Sequence, residues 1–253
     1  MRYGFPRRQR GYITPFMWQT AARGGGGNTD PHFASVVLLA VNDNAADATT
    51  TFVDQSSAAR TLTANGNVQY DTAQAPTGMT SSALFDGTGD YISALDSADW
   101  DFGTGDFTVE AWVRFSSLPA STVQAFVSNY GGSTTGWTQQ FRADGSNRLV
   151  FGTSGDSPLE AFAWAPVIDT WYPVATARAS GTLRSYIAGT QIGGDVANAE
   201  DITGSTAILA IGRIGSLNAQ YLIGWMASVR VTKGVARYTG TSYTVPTLPL
   251  PTS

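Results

Sequence analysis

The chain has 253 residues, of which 13% are charged, and glycine, alanine, serine and threonine are abundant. This composition argues against a helical bundle or a coiled coil, which needs glutamate, lysine and leucine at helical spacing. The absence of cysteine excludes disulfides and thiolate metal sites, and a single histidine, His32, excludes a multi-histidine zinc site within one chain.

The N-terminal segment is basic and aromatic, whereas the rest of the chain is acidic. Residues 1–30 hold five arginines and one acid, Asp30, which leaves ten basic and eighteen acidic residues elsewhere. A cationic arm on an acidic body predicts a docking segment and argues against nucleic-acid binding, because the body repels phosphate. The expected anchoring residues of the arm are Arg2, Tyr3, Phe5, Arg7, Arg8, Arg10, Phe16 and Trp18. The alternative interpretation is a frayed terminus.

Four consecutive glycines, residues 24–27, separate the arm from the body. Such a run favours neither helix nor strand and predicts a hinge. We therefore divide the chain into a docking arm, residues 1–29, and a globular domain, residues 30–253. No apolar run reaches the roughly 20 residues that span a bilayer. The start of the chain also lacks an apolar segment of signal-peptide length, so neither membrane insertion nor Sec export is expected.

After Asp30, about fourteen short alternating runs recur between clusters of glycine, aspartate, asparagine and serine. One of these predicted strands is "TTFVD", residues 50–54. The pattern predicts an all-β fold, a two-sheet antiparallel sandwich. The run "FTVEAWVRF" shows it most clearly, with Phe107, Val109, Ala111, Val113 and Phe115 on one face and Thr108, Glu110, Trp112 and Arg114 on the other.

The stretch "FDGTGDY", residues 85–91, is dense in aspartate and glycine. Glycine supplies a positive φ and aspartate caps backbone amides, so the stretch predicts a hairpin turn. The alternative is a calcium loop that uses Asp86 or Asp90. Trp100 and Phe102, a little further on, are expected to fill the sandwich core rather than to stack on a sugar.

Residues 128–140 contain the best candidate for a sugar site. Asn129, Tyr130 and Trp137 flank a loop of glycine, serine and threonine. Sugar binding needs an exposed aromatic ring and nearby amide or carboxylate groups. The alternative is a long hairpin whose aromatic residues pack against the sheet edge.

The carboxylates do not form a catalytic pattern. A glycoside hydrolase needs two of them, about 5–9.5 Å apart across a cleft. The three glutamates, Glu110, Glu160 and Glu200, are isolated in the sequence. We therefore expect no catalytic residues. The final residues, 245–253, are rich in proline and are expected to lie extended along the domain.

Three separated segments resemble a known family. "SSALFDGTGDYISALDSADWDFGTGDFTVEAWVRF", residues 81–115, resembles the laminin-G-like, concanavalin A-like lectin/glucanase domains, particularly those of tailed-phage structural proteins. The resemblance continues through residues 169–193 and ends with "GWMASVRVTKGVARYTG", residues 224–240. It implies a concanavalin A-like jelly roll over roughly residues 30–251.

The chain also departs from that pattern. Pro173 stands where the family usually has histidine, and Ala188 stands where it usually has aspartate. Ala227 and Ser228 replace an acidic pair that is common in the last strand. Because a last-strand acid often completes the calcium site in relatives, we expect no cofactor, and calcium is the alternative.

The arm and the resemblance together predict a non-enzymatic structural protein of a phage virion, either a capsid decoration or a tail adhesion module. It would lie on the virion surface, with its arm bound to other virion proteins, as a homo-oligomer and by analogy a trimer. The alternative function is a glycan-binding, lectin-like protein that recognises the host surface through Asn129, Tyr130 and Trp137. A glycoside hydrolase is a distant third.

Overall fold

The computed structural model describes Met1 and residues 29–132, 135–154, 157–203, 205–217 and 219–253. These residues form two short 3₁₀ helices, Phe33–Ser35 and Ala98–Trp100, and fifteen strands. The strands are β1 (Val36–Ala40), β2 (Thr63–Asn65), β3 (Gln69–Asp71), β4 (Ser82–Asp86), β5 (Tyr91–Ala94), β6 (Phe107–Phe115), β7 (Val123–Ser128), β8 (Thr138–Arg142), β9 (Arg148–Ser154), β10 (Ser157–Ala163), β11 (Trp171–Ala179), β12 (Thr182–Ile187), β13 (Thr190–Ala197), β14 (Leu209–Ile211) and β15 (Ile223–Lys233). None of the helices among these residues is long and apolar enough to cross a membrane.

The strands form two antiparallel sheets, which confirms the predicted sandwich. The eight-stranded sheet has the order β13-β12-β11-β6-β15-β4-β3, and β1 also pairs with β15. The seven-stranded sheet has the order β10-β9-β8-β7-β14-β5-β2. Strands β11, β6 and β15 lie side by side at the centre of the larger sheet and carry the candidate site described below.

The core lies between the sheets and is strongly aromatic. The predicted inward face of β6 is confirmed, because Phe107, Val109, Ala111, Val113 and Phe115 are all almost fully buried. Phe107 stacks on Phe102, with ring centroids 4.2 Å apart, and it also packs against a phenylalanine of the opposite sheet. Burial of each such side chain contributes roughly 1.5–3 kcal/mol, so this face of β6 fixes the register of the central strands.

Two details of the predicted strand pattern are wrong. The turn after Asp86 does not close a hairpin, because β4 belongs to the eight-stranded sheet and β5 to the seven-stranded sheet. It carries the chain from one sheet to the other. The predicted strand at 50–54 is reduced to an isolated bridge between Val53 and Thr61. Conversely, the structure contains two strands that were not predicted, β2 and β13, and both lie at sheet edges. β13 contains glycines and is exposed, so it lacks the alternation that identifies a strand.

One half of the outer face of the eight-stranded sheet is covered by the two ends of the domain. The Asp30 carboxylate accepts hydrogen bonds from Arg230 and Arg237, at 3.1 and 2.8 Å, and the Asp30 backbone nitrogen donates to the carbonyl of Ser253. Burial alone would raise the pKa of Asp30, but the hydrogen bonds from Arg237 and His32 and the arginine charges outweigh it and lower the pKa. The start of the described domain is therefore tied into the sandwich by buried ion pairs.

The C-terminal segment also packs on this face, as the sequence predicts for an extended proline-rich end. Leu248 and Leu250 are buried in a small apolar cluster with Val36 and Leu39 of β1. The Leu250 backbone nitrogen donates to the Asn42 side chain at 2.7 Å. This segment forms one wall of the exposed part of the sheet.

Candidate functional site

The three residues predicted to bind a sugar are buried inside the protein. Asn129 and Trp137 are fully buried and Tyr130 is 7% exposed. The Trp137 ring nitrogen donates to the carbonyl of Trp100 at 2.8 Å, and the Asn129 amide donates to the carbonyl of Ala207 at 2.9 Å. Neither Tyr130 nor Trp137 offers an open ring face to a ligand, and the Asn129 amide is buried as well. Their arrangement matches the alternative interpretation, in which the aromatic residues pack against the sheet.

The acidic stretch after β4 has the turn chemistry predicted for it. The Asp90 carboxylate accepts from the backbone nitrogens of Asn67 and Asp86, at 2.7 and 3.0 Å, and Asp86 accepts from Thr88. Burial raises the pKa of Asp90, and the nearby Asp86 adds to that rise. The described residues contain no group of three or more histidine, cysteine, aspartate or glutamate side chains placed to hold a metal. Trp100 lies in the core, as predicted.

The three glutamates lie in separate environments. On the outer face, Glu110 accepts hydrogen bonds from Arg230 and Tyr238, at 2.7 and 2.6 Å. Inside the sandwich, Glu160 is 4% exposed and accepts a hydrogen bond from Ser185. Burial raises the pKa of Glu160 to about 7, against the opposing hydrogen bonds from Ser185 and Thr176. Glu200 is exposed on a loop. The glutamates therefore form no shared catalytic cleft.

A set of tryptophans lies on the uncovered half of the outer face of the eight-stranded sheet. The antiparallel register places Trp171 of β11, Arg114 of β6 and Trp225 of β15 in one row across three neighbouring strands. Trp112 lies two residues before Arg114 and faces the same way. All four side chains are partly exposed. We call Trp112, Trp171, Trp225 and Arg114 the tryptophan face.

Polar groups hold the tryptophan face in place. The Arg114 guanidinium lies over the Trp225 ring, 4.6 Å from its centroid, which is the geometry of a cation–π contact. It also forms an ion pair with the exposed Asp169 at 3.0 Å, while its Nη1 has no hydrogen-bond partner in the described structure. The Trp225 ring nitrogen donates to Asp71 at 2.7 Å. Carboxylates therefore contact the middle of the row, through Asp169, and its Trp225 end, through Asp71.

The loop beside Trp171 extends this surface with apolar side chains. Val167 is 61% exposed and Ile168 is 47% exposed. Asp169 has a φ of 63°, a conformation that aspartate tolerates better than most residues. Aromatic rings, a guanidinium and two carboxylates on one open surface can stack on the apolar face of a sugar and bond its hydroxyls.

Sequence reasoning placed Trp112 and Arg114 on the outward face of β6 but did not identify a site there. The signal was present, because an aromatic residue on the solvent side of an alternating strand is a candidate binding residue. Trp171 and Trp225 come from distant parts of the chain, and only the register of β11 and β15 on β6 brings them beside Arg114. The predicted arm residues lie outside the described residues; they are Arg2, Tyr3, Phe5, Arg7, Arg8, Arg10, Phe16 and Trp18.

Comparison with protein families gives one match. The laminin G family model of the concanavalin A-like lectin/glucanases superfamily matches residues 86–236, which is more than half of the chain. The chain belongs to this family. The match covers β6, β11 and β15 completely, so this concanavalin A-like domain carries the whole tryptophan face. No curated protein matches the sequence.

Solved structures share the fold of this concanavalin A-like domain. The botulinum neurotoxin serotype D binding domain has a TM-score of 0.58 and 15% identity, with 82% of this chain and 50% of that chain covered. The binding domain of Paraclostridial Mosquitocidal Protein 1 gives a TM-score of 0.58 at 14% identity, covering 80% of this chain and 50% of that one. The chain thus spans about half the length of these toxin domains.

A second kind of neighbour is similar over nearly its whole length. Domain 4 of AbnA, a GH43 extracellular arabinanase from Geobacillus stearothermophilus, was solved in complex with arabinotriose. It has a TM-score of 0.57 and 18% identity, with 80% of this chain and 94% of that chain covered. At these identities the comparisons establish the fold alone.

Proposed function

We propose that the protein is a non-enzymatic adhesion module that binds glycans through the tryptophan face. The observation that carries this proposal is the row formed by Trp171, Arg114 and Trp225 on an open sheet surface. Two neighbours of the same fold support it. Domain 4 of the arabinanase was solved with arabinotriose, and a botulinum neurotoxin serotype D ligand-binding domain was solved with N-acetylneuraminic acid.

The chemistry of the face suits a sugar chain. Pyranose rings present an apolar face of C–H groups that stacks on an indole, and their hydroxyls need donors and acceptors at the ring edge. Trp171 and Trp225 lie two strands apart, roughly 10 Å, since neighbouring strands are about 4.8 Å apart. A surface of that width accommodates more than one sugar residue. Asp169 and Asp71 supply acceptors beside Arg114 and Trp225.

The proposal excludes glycoside hydrolysis by the glutamates of this chain. Retaining and inverting mechanisms both need two carboxyl groups on either side of the scissile bond. Glu110 is held by Arg230 and Tyr238, and Glu160 lies inside the core. Glu110 and Glu160 lie on opposite sides of the eight-stranded sheet, so they do not face each other across a bound sugar.

A glycan array followed by calorimetry tests the proposal. Trp171→Ala and Arg114→Ala are each expected to weaken binding about 2- to 30-fold, since stacking and cation–π contacts each contribute roughly 0.5–2 kcal/mol. Leu95→Ala is the matched control, because Leu95 is 79% exposed and lies outside the tryptophan face. Unchanged affinity in both face variants, or an array without signal, would contradict the proposal.

We also propose that the module belongs to the surface of a phage virion, with residues 1–29 docked on other virion proteins and the domain assembled as a symmetric oligomer. The basic, aromatic composition of the arm supports this, together with the buried ion pairs of Asp30 at its root. Those ion pairs would transmit force from the arm to the sheet.

The arm proposal has a direct test in purified particles. Replacing Arg2, Arg7, Arg8 and Arg10 by serine is expected to reduce the copy number of the protein per particle, measured by quantitative mass spectrometry. The glycan affinity of the same variant is expected to stay unchanged. Normal incorporation of the serine variant, or absence of the unmodified protein from particles, would refute virion docking by the arm.

A further inference from the structure

A groove continues the tryptophan face beyond Trp112. It has a volume of about 390 Å³ and is lined by Trp112, by residues 245–248 of the C-terminal segment, and by Thr77 and Gly78. The direct cross-strand neighbours of Trp112 are Pro173 and Ala227. Neither neighbour has a side chain that forms hydrogen bonds, so the indole lies in apolar surroundings.

The far wall of the groove is held by a close backbone approach. Gly78 has a φ of +97°, and a Cβ at this position would lie 2.4 Å from the carbonyl oxygen of Leu248. Leu248 is 8% exposed and packs in the same apolar cluster as Trp112 and Trp171. The backbone approach of Gly78 to Leu248 therefore fixes the wall of the groove. The packing of Leu248 with Trp112 and Trp171 makes the groove continuous with the tryptophan face.

The lining of the groove selects among sugars. Val245, Pro246 and Leu248 are apolar. The polar side-chain groups of the lining are the ring N–H of Trp112 and the hydroxyls of the exposed Thr77 and Thr247. A sugar that presents only hydroxyls there would lose its bonds to water without regaining most of them. An acetamido group fits better, because its methyl can contact the indole while its N–H and C=O can reach threonine hydroxyls.

We infer that the groove receives the acetamido group of an N-acetylated sugar within a glycan bound on the tryptophan face. This inference rests on the proposed glycan-binding function and adds the substrate class. One buried methyl group and one hydrogen bond together predict about a tenfold preference in Kd for the acetamido sugar, which corresponds to about 1.4 kcal/mol.

Chitotriose and cellotriose form a matched pair of probes, because they share linkage and ring and differ in acetamido against hydroxyl at C2. Calorimetry on the full chain is expected to show chitotriose bound about tenfold more tightly. Trp112→Ala and, independently, Val245→Asp are expected to abolish that preference. Trp171→Ala is expected to weaken both probes and keep their ratio. Near-UV circular dichroism checks that each variant is folded.

The outcomes separate the two proposals. Equal affinity for the two probes, or glycan-array signal confined to sugars without N-acetyl groups, overturns the acetamido assignment and leaves glycan binding intact. A preference that survives both Trp112→Ala and Val245→Asp also overturns the assignment to this groove. An array without any signal, with neither trisaccharide bound, overturns both proposals.

Discussion

Glu160 gives the sharpest test of how the sandwich is stabilised. Its carboxyl lies between the sheets in a chain of hydrogen bonds through Ser185 and Thr176 to the amide of Gln139. One carboxyl oxygen, Oε2, has no partner among the described groups. The substitution Glu160→Gln keeps the size and the acceptor of the side chain and removes its charge.

The expected magnitude follows from the pKa of Glu160, which burial raises from 4.5 to about 7. Between these values the folded protein retains a proton that the unfolded chain has already released, so rising pH favours unfolding. Each pKa unit corresponds to 1.36 kcal/mol, so the group costs up to about 3 kcal/mol of stability by pH 8. Below about pH 4.5 this cost is absent.

Urea unfolding followed by tryptophan fluorescence, at pH values from 4.5 to 8, measures the effect. Glu160→Gln is expected to match the wild type near pH 4.5 and to be more stable by about 2–3 kcal/mol at pH 8. Glu200→Gln makes the same chemical change on an exposed loop and is the control for net charge. A stability difference that does not change with pH, or a Glu160→Gln variant less stable at pH 8, would refute the reasoning.

Two further predictions concern buried polar groups and the aromatic core. Asp30→Asn should destabilise the domain by about 3–5 kcal/mol in urea unfolding, because it leaves two buried arginines short of negative charge. The pKa of Asp30 is lower in the folded protein than in the unfolded chain, so the ionised carboxylate stabilises the domain fully above the unfolded-state pKa. This stabilisation is lost as the pH falls through the folded-state pKa. If Asp30→Asn left the loss of stability at acid pH unchanged, the result would argue against this role. Trp137→Ala should cost about 3–5 kcal/mol and lower Tm, and loss of glycan binding without loss of stability would show that Trp137 is a ligand contact.

The strands that the sequence predicts correctly are those with one face in the core. β6 alternates apolar and polar residues over nine positions, and the inward set is buried as the alternation requires. β13 fails this test, because both of its faces are largely exposed at the edge of the sheet. Local patterning therefore identifies strands through the burial of alternate side chains, and edge strands carry little of that signal.

The candidate site depends on information that local patterning lacks. The turn at Asp86 reads as a hairpin because aspartate and glycine specify the bend and not the partner of the next strand. Trp171 and Trp225 become neighbours of Arg114 through the pairing of strands that are more than fifty residues apart. The buried loop aromatic Trp137 was a candidate ligand contact because sequence does not distinguish a ring that faces the core from one that faces solvent.

The two halves of the outer face of the eight-stranded sheet differ in a way that bears on function. Where the two ends of the domain cover the sheet, charged groups such as Asp30 and Glu110 are buried and paired with arginines, since an unpaired buried charge is strongly destabilising. On the part that the described residues leave open, the outward positions hold three tryptophans. Threonine or charged residues at these positions would expose less apolar surface and would favour solubility. The Trp225 ring is held by Arg114 and Asp71, and Trp112 and Trp171 pack partly against the apolar cluster of the C-terminal segment. The proposed stacking of a ligand on these rings would account for them. If that proposal is right, binding rather than stability is the property expected to fail first when Trp171 is removed.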